Sequence, residues 1–149
     1  DLIRDYLPRL VAAGIVGVVE PGARGKAVIY RLNRDCGVEP PRLTAEGAID
    51  ETPTDQERIW QAMKVLPVFD ARDLQAGTGI VSAVSVRSYI SMLARAGYLA
   101  VVEPATTRRL ARYRLLRSRN TGPRPPVIRR GKVVFDPNLG RQVWPEVAA

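Results

Sequence analysis

The chain has no histidine and only one cysteine, Cys36, among its 149 residues. Without histidine there is no Ser-His or Cys-His nucleophile pair and no imidazole ligand for a metal. A lone thiol closes no internal disulfide and builds no thiolate cluster, which suits a reducing cytosol. No apolar run approaches the roughly 18 residues of a membrane span, and the first residues do not make a signal peptide. Aromatics are 6% of the sequence, and they form no stacking platform of the kind that single-stranded nucleic acid or RNA uses. The carboxylates are scattered or stand at helix starts, as Asp70 and Asp73 do, where anionic caps are expected on structural grounds. The expectation is therefore no catalytic site, no metal, no cofactor and no membrane.

Acidic residues are also missing from one long block. Residues 87–132 carry 12 basic side chains against one acidic, a surplus of 11 in a chain whose net charge is +8. Residues 1–47 carry 7 basic and 6 acidic, and residues 48–86 carry 3 and 6. Arginine supplies 20 of the 23 positive charges. GC-rich coding would also raise arginine, but not cluster it. Guanidinium matches phosphate and guanine with two parallel hydrogen bonds, which ammonium does not.

What is present in abundance is self-similarity. Residues 3–32 shifted by 83 positions give 12 identities in 30 without a gap. Arg4, Tyr6, Leu10, Ala13, Gly14, Val18, Val19, Glu20, Pro21, Tyr30, Arg31 and Leu32 return as Arg87, Tyr89, Leu93, Ala96, Gly97, Val101, Val102, Glu103, Pro104, Tyr113, Arg114 and Leu115. One supersecondary unit is used twice. In the later copy Val86, Tyr89, Ile90 and Leu93 stand at helical spacing, with Ser85 as expected N-cap and Gly97 as expected left-handed C-cap. Tyr98–Glu103 and Arg109–Leu116 read as strands around a turn at Pro104–Thr107.

This order of helix, glycine, strand, basic turn and strand resembles the closing half of a winged helix-turn-helix. The phrase at 86–99, Val-Arg-Ser-Tyr-Ile-Ser-Met-Leu-Ala-Arg-Ala-Gly-Tyr-Leu, is similar to the recognition helix and first wing strand of that family. The resemblance extends over 54–116. Thr54 with Glu57 reads as a capping box, Ile59, Trp60, Met63 and Leu66 as a helix ended by Pro67, and Asp70–Ala76 as a second helix broken at Gly77 and Gly79. The expected fold is α+β, with two tandem winged helix-turn-helix units and a C-terminal β-hairpin arm. Residues 1–34 form a partial unit, 35–53 a linker punctuated by Gly and Pro, 54–117 a complete unit, and 118–149 a basic arm and hairpin. The first copy begins at its recognition-type helix, so the two helices before it are expected from a segment this sequence lacks or from another chain. The phrase at Pro125-Pro126 echoes Pro40-Pro41, and the repeat is expected to run past the wing.

The resemblance implies sequence-specific binding of double-stranded DNA. The function expected is that of a bacterial or phage-type transcription regulator or a mobile-element DNA-binding protein, cytoplasmic and nucleoid-associated, in a homo-oligomer or a larger nucleoprotein complex. The competing expectation is a protein-interaction scaffold. The residues expected at DNA are Ser85, Arg87, Ser88, Ser91 and Arg95 on the recognition helix and Arg108, Arg109 and Arg112 on the wing, with Met92 also outward. The first copy offers Arg4 and Arg9 on its helix, weakened by Asp5 and Pro8, and Arg24 and Lys26 on its wing turn. Gly22-Ala23-Arg24-Gly25-Lys26 resembles part of a phosphate-binding loop, but the residues after it read as a strand where that motif needs a helix. Trp144 is expected to pack on a domain surface.

Overall fold

The structure, a computed structural model, describes residues 2–37, 39–80 and 82–147. It is mixed α and β, with four α-helices and three small antiparallel sheets among those residues. The chain divides into two compact units, Asp1–Thr52 and Pro53–Ala149. No helix among the described residues is long and apolar enough to cross a membrane.

The first unit opens with α1, Leu2–Ala12, which continues through Pro8. Gly14, at φ +72°, turns the chain into β1, Val16–Glu20, which pairs with β2, Ile29–Leu32. Ile15 and Val16 are its only buried apolar residues among those described. Residues 40–50, expected to be linker, are structured instead. Leu43 bridges Ile49, Asp50 donates its N–H to the Arg42 carbonyl at 2.8 Å, and Tyr6 donates its hydroxyl to the Pro41 carbonyl at 2.7 Å. Gly47 makes this possible: at φ +81° it lies so close to α1 that a Cβ there would sit 2.5 Å from the Ala12 Cβ. Glycine and proline here mark a tight hairpin pressed on a helix, a reading composition alone does not separate from a linker.

The second unit begins with α2, Asp55–Val65, held by the expected capping box between Thr54 and Glu57. Its partner α3, Ala71–Thr78, carries a second box between Asp70 and Asp73, so both carboxylates serve as caps. Gly77 does not break α3; the helix ends on Gly79 in the left-handed conformation. Next comes α4, Ala83–Arg95, then β3, Leu99–Glu103, paired with β4, Arg112–Leu115. Arg117–Arg119 form a single 3₁₀ turn. Strands β5 (Val127–Arg129), β6 (Val133–Asp136) and β7 (Arg141–Trp144) make a three-stranded sheet, with the expected hairpin at β6 and β7.

That last sheet is not an arm. Val134 is fully buried in one core with Trp60 of α2, Leu74 of α3, Leu93 of α4 and Tyr98, and Trp144 packs against the same cluster. Trp60 meets Tyr98 edge-on, ring centroids 6.1 Å apart, and donates its indole N–H to the Gly122 carbonyl at 3.0 Å. The segment 118–126 thus lies along the hydrophobic core as a strap, fixed by backbone carbonyls such as those of Gly122 and Pro126 and by the buried Pro126 ring.

The internal repeat reappears bond for bond. Val16↔Leu32, Gly17↔Arg31, Val18↔Tyr30 and Glu20↔Ile29 pair in the first unit, and Leu99↔Leu115, Ala100↔Arg114, Val101↔Tyr113 and Glu103↔Arg112 in the second, with the same irregularity before the glutamate. Beyond the wing-like hairpin the correspondence continues. Leu43↔Ile49 is matched by Ile128↔Val134, and the Tyr6–Pro41 hydrogen bond by a Tyr89–Pro126 bond, each at 2.7 Å.

Candidate nucleic-acid interface

Helix α4 starts earlier than the sequence reading placed it. Ser82, not Ser85, is the N-cap; its side chain accepts the Ser85 N–H at 3.2 Å, and the two hydroxyls bond at 3.0 Å. Ser85 is therefore committed to the cap. Both serines carry a capping signal, since Ser85 also stands just before an apolar-periodic run, and spacing alone does not separate them.

Val86, Tyr89, Ile90 and Leu93 are buried as expected, and Met92 joins them at 5% exposure, so it does not face outward. The outer face of α4 is Val84, Arg87, Ser88, Ser91 and Arg95, all exposed and spaced as one stripe along the helix. Val84, inside the helix because the cap is Ser82, is 77% exposed. Helices α2 and α3 carry acidic residues in their first turns, whereas α4 has none. The partial positive charge at its N-terminus is left uncompensated, which favours an external anion.

The β3–β4 turn presents Arg108 and Arg109, both exposed. Thr106 shapes this turn: its hydroxyl accepts the N–H groups of Arg108 at 3.3 Å and Arg109 at 3.1 Å, and its own N–H donates to the Arg109 carbonyl at 2.9 Å. Arg112 does not belong with them. It lies in β4, half-buried, with a guanidinium nitrogen 3.8 Å from the Asp73 carboxylate, the same group that caps α3. This ion pair links β4 to α3.

Other arginines of the basic block are spread over different surroundings. Arg129 lies over the Phe135 ring, 3.6 Å from its centroid, a cation–π contact on the C-terminal sheet. Arg117 and Arg119 sit in the 3₁₀ turn. Clustering along the chain is thus only in part clustering in space.

In the first unit Arg4 and Arg9 are exposed on α1, and Arg9 is near enough to Glu46 of the 43–49 hairpin to lower its carboxyl pKa, after the larger effect of a Thr44 hydrogen bond. Arg24 and Lys26 are exposed in the β1–β2 turn, which Ala23 and Lys26 close by a bridge. Strand β2 follows, so the glycine-rich phrase is a turn between strands. The inner face of α1 differs from that of α4. Ile3 is 67% exposed where its counterpart Val86 is fully buried, because α2 and α3 cover the latter.

Among the described residues no group of three or more His, Cys, Asp or Glu side chains could hold a metal ion. No protein-family model, curated protein or solved structure matches this chain.

Proposed function

We propose that this chain binds double-stranded DNA sequence-specifically, with its second unit acting as a winged helix-turn-helix and its first as the recognition-helix-and-wing half of another. The observation that carries this reading is the outer face of α4. It carries Arg87, Ser88, Ser91 and Arg95 on one stripe that runs the length of a helix whose first turn is free of carboxylates, and the β3–β4 turn adds Arg108 and Arg109. In a helix-turn-helix the first residues of the second helix reach base edges in the major groove while flanking cations hold phosphates. Arg87 suits a guanine, Ser88 and Ser91 a base or a phosphate, and the turn arginines the backbone. A transcription regulator of bacterial or phage type, or a DNA-organising component of a mobile element, working inside the cytoplasm on the nucleoid, fits this chemistry.

A second reading, a protein-docking module, draws on the first unit. There Val18, Val19, Ile29 and Leu32 are all exposed on the hairpin, an apolar surface unlike a phosphate-binding one.

Fluorescence anisotropy of a labelled duplex and its separated strands, each titrated over a salt series, tests the proposal. Duplex should bind more tightly than either strand, with log K falling linearly in log salt. Equal affinity for all three, or a flat salt dependence, would favour the docking reading.

A further inference from the structure

The stripe on α4 contains one residue that phosphate binding does not explain. Val84 is the second residue of the helix, 77% exposed, and apolar. Packing does not account for it, and neither does helix propensity, since a β-branched side chain is a poor choice for an exposed helical position. Its neighbours in the first turn are otherwise engaged: Ser82 and Ser85 bond each other, and Val86 is buried. Val84 therefore projects with Arg87 and Ser88, which follow it by three and four residues on the same face.

Resting on the DNA-binding reading above, we infer that Val84 is a specificity-determining residue that packs on the C5-methyl group of a thymine next to the guanine gripped by Arg87. In the major groove each base pair shows a distinct edge, and the thymine methyl is its one apolar feature. Side chains one turn apart on a helix in that groove meet successive base pairs. An exposed valine one turn before an exposed arginine is thus matched to a methyl-bearing pyrimidine beside a guanine. The valine buries its two methyls only when that group is present, while cytosine at the same place offers a polar N4 donor to an apolar side chain. The preferred site on this basis contains a T·A pair adjoining a G·C pair, read together by Val84 and Arg87.

The test uses the full chain and a duplex enriched from a random pool by repeated selection. Each thymine of the selected site is replaced singly by deoxyuridine, which removes the methyl and nothing else. One replacement, beside the G·C pair at which Arg87→Ala loses discrimination, should weaken binding about fourfold, the value of one buried methyl-sized group. Val84→Ala should bind the parent duplex about as weakly as the unsubstituted protein binds that deoxyuridine duplex, and should not respond to the replacement. The circular dichroism melt of V84A should match that of the parent protein, since Val84 is exposed. A site without thymine beside that guanine, a protein indifferent to every deoxyuridine, or a Val84→Ala variant that still senses the methyl would each overturn the inference and leave DNA binding standing. A pool that yields no preferred duplex would overturn both.

Discussion

Tyr98 donates its hydroxyl to the buried carboxylate of Asp136 at 2.5 Å, joining the residue before β3 to the end of β6. The same oxygen of Asp136 accepts the Thr121 hydroxyl at 2.7 Å, and the other accepts the Asn138 N–H at 2.8 Å and the Leu139 N–H at 3.3 Å. A carboxylate with no solvent access is tolerable only when its lone pairs are met in this way. Asp136 is thus a polar tie between the C-terminal sheet and the rest of the second unit, beside the apolar packing of Val134 and Trp144. Asp136→Ala leaves two hydroxyls and two amides without their acceptor and should destabilise the unit by on the order of 3 kcal/mol or more. Asp136→Asn keeps one acceptor oxygen and should cost less. Urea unfolding checks both, and an alanine variant as stable as the parent would remove Asp136 from this role.

Burial raises the pKa of the Tyr89 phenol well above the ordinary tyrosine value, and the proximity of Tyr98 and Asp136 adds to it. Burial likewise raises that of Tyr98, reinforced by its hydrogen bond to Asp136. Both are groups whose folded pKa lies above the unfolded one. Their contribution is complete below the unfolded value of about 10 and is lost as pH rises above it. Tyr89 and Tyr98 should therefore stay protonated as pH rises past that value, and then ionise together with unfolding. Phenolate absorbance followed against circular dichroism gives the answer; ionisation of Tyr89 and Tyr98 before any unfolding would contradict it.

Tyr113 exchanges both backbone hydrogen bonds with Phe69, its N–H donating to the Phe69 carbonyl at 2.8 Å and its carbonyl accepting the Phe69 N–H at 3.0 Å. Its counterpart Tyr30 lies in β2, which among the described residues pairs only with β1. The amide of Tyr113 should therefore exchange with deuterium far more slowly than that of Tyr30, since it is bonded within the larger core. Site-resolved exchange by NMR measures this, and equal protection would show that β2 is covered in solution.

Arg108 and Arg109 stand exposed on the β3–β4 turn, and Arg112 is paired with Asp73. Alanine at both turn positions should reduce the salt slope of duplex binding by about 1.8, two phosphates at about 0.9 each. Arg112→Ala should leave the slope unchanged and lower the melting temperature. The reverse pattern would put Arg112 at the DNA and the turn away from it.

Arg87→Ala should cost about 1–3 kcal/mol on the preferred duplex and much less on random DNA. Equal losses on both would make Arg87 a phosphate contact.

The apolar stripe of α4, the Thr54 capping box, the left-handed Gly97 and the paired hairpins were legible in the sequence, because each is set by neighbours within a few residues. Helical spacing decides which side of α4 is buried, and a glycine after it decides where the chain turns. The repeat also foretold that the two hairpins would share a register, since the same side chains on the same backbone leave the same partners. Only the tertiary structure decided the rest. Residues 40–50 became a hairpin because Gly47 fits against Ala12, a contact between positions 35 apart. The C-terminal sheet joined the core because Asp136, Gly122 and Val134 come to Tyr98, Trp60 and the buried cluster around Leu93. Arg112 is paired because Asp73 of a different element lies across from it. Local sequence specifies dihedrals and faces; which distant group satisfies a buried carboxylate or a guanidinium depends on packing that no short window contains.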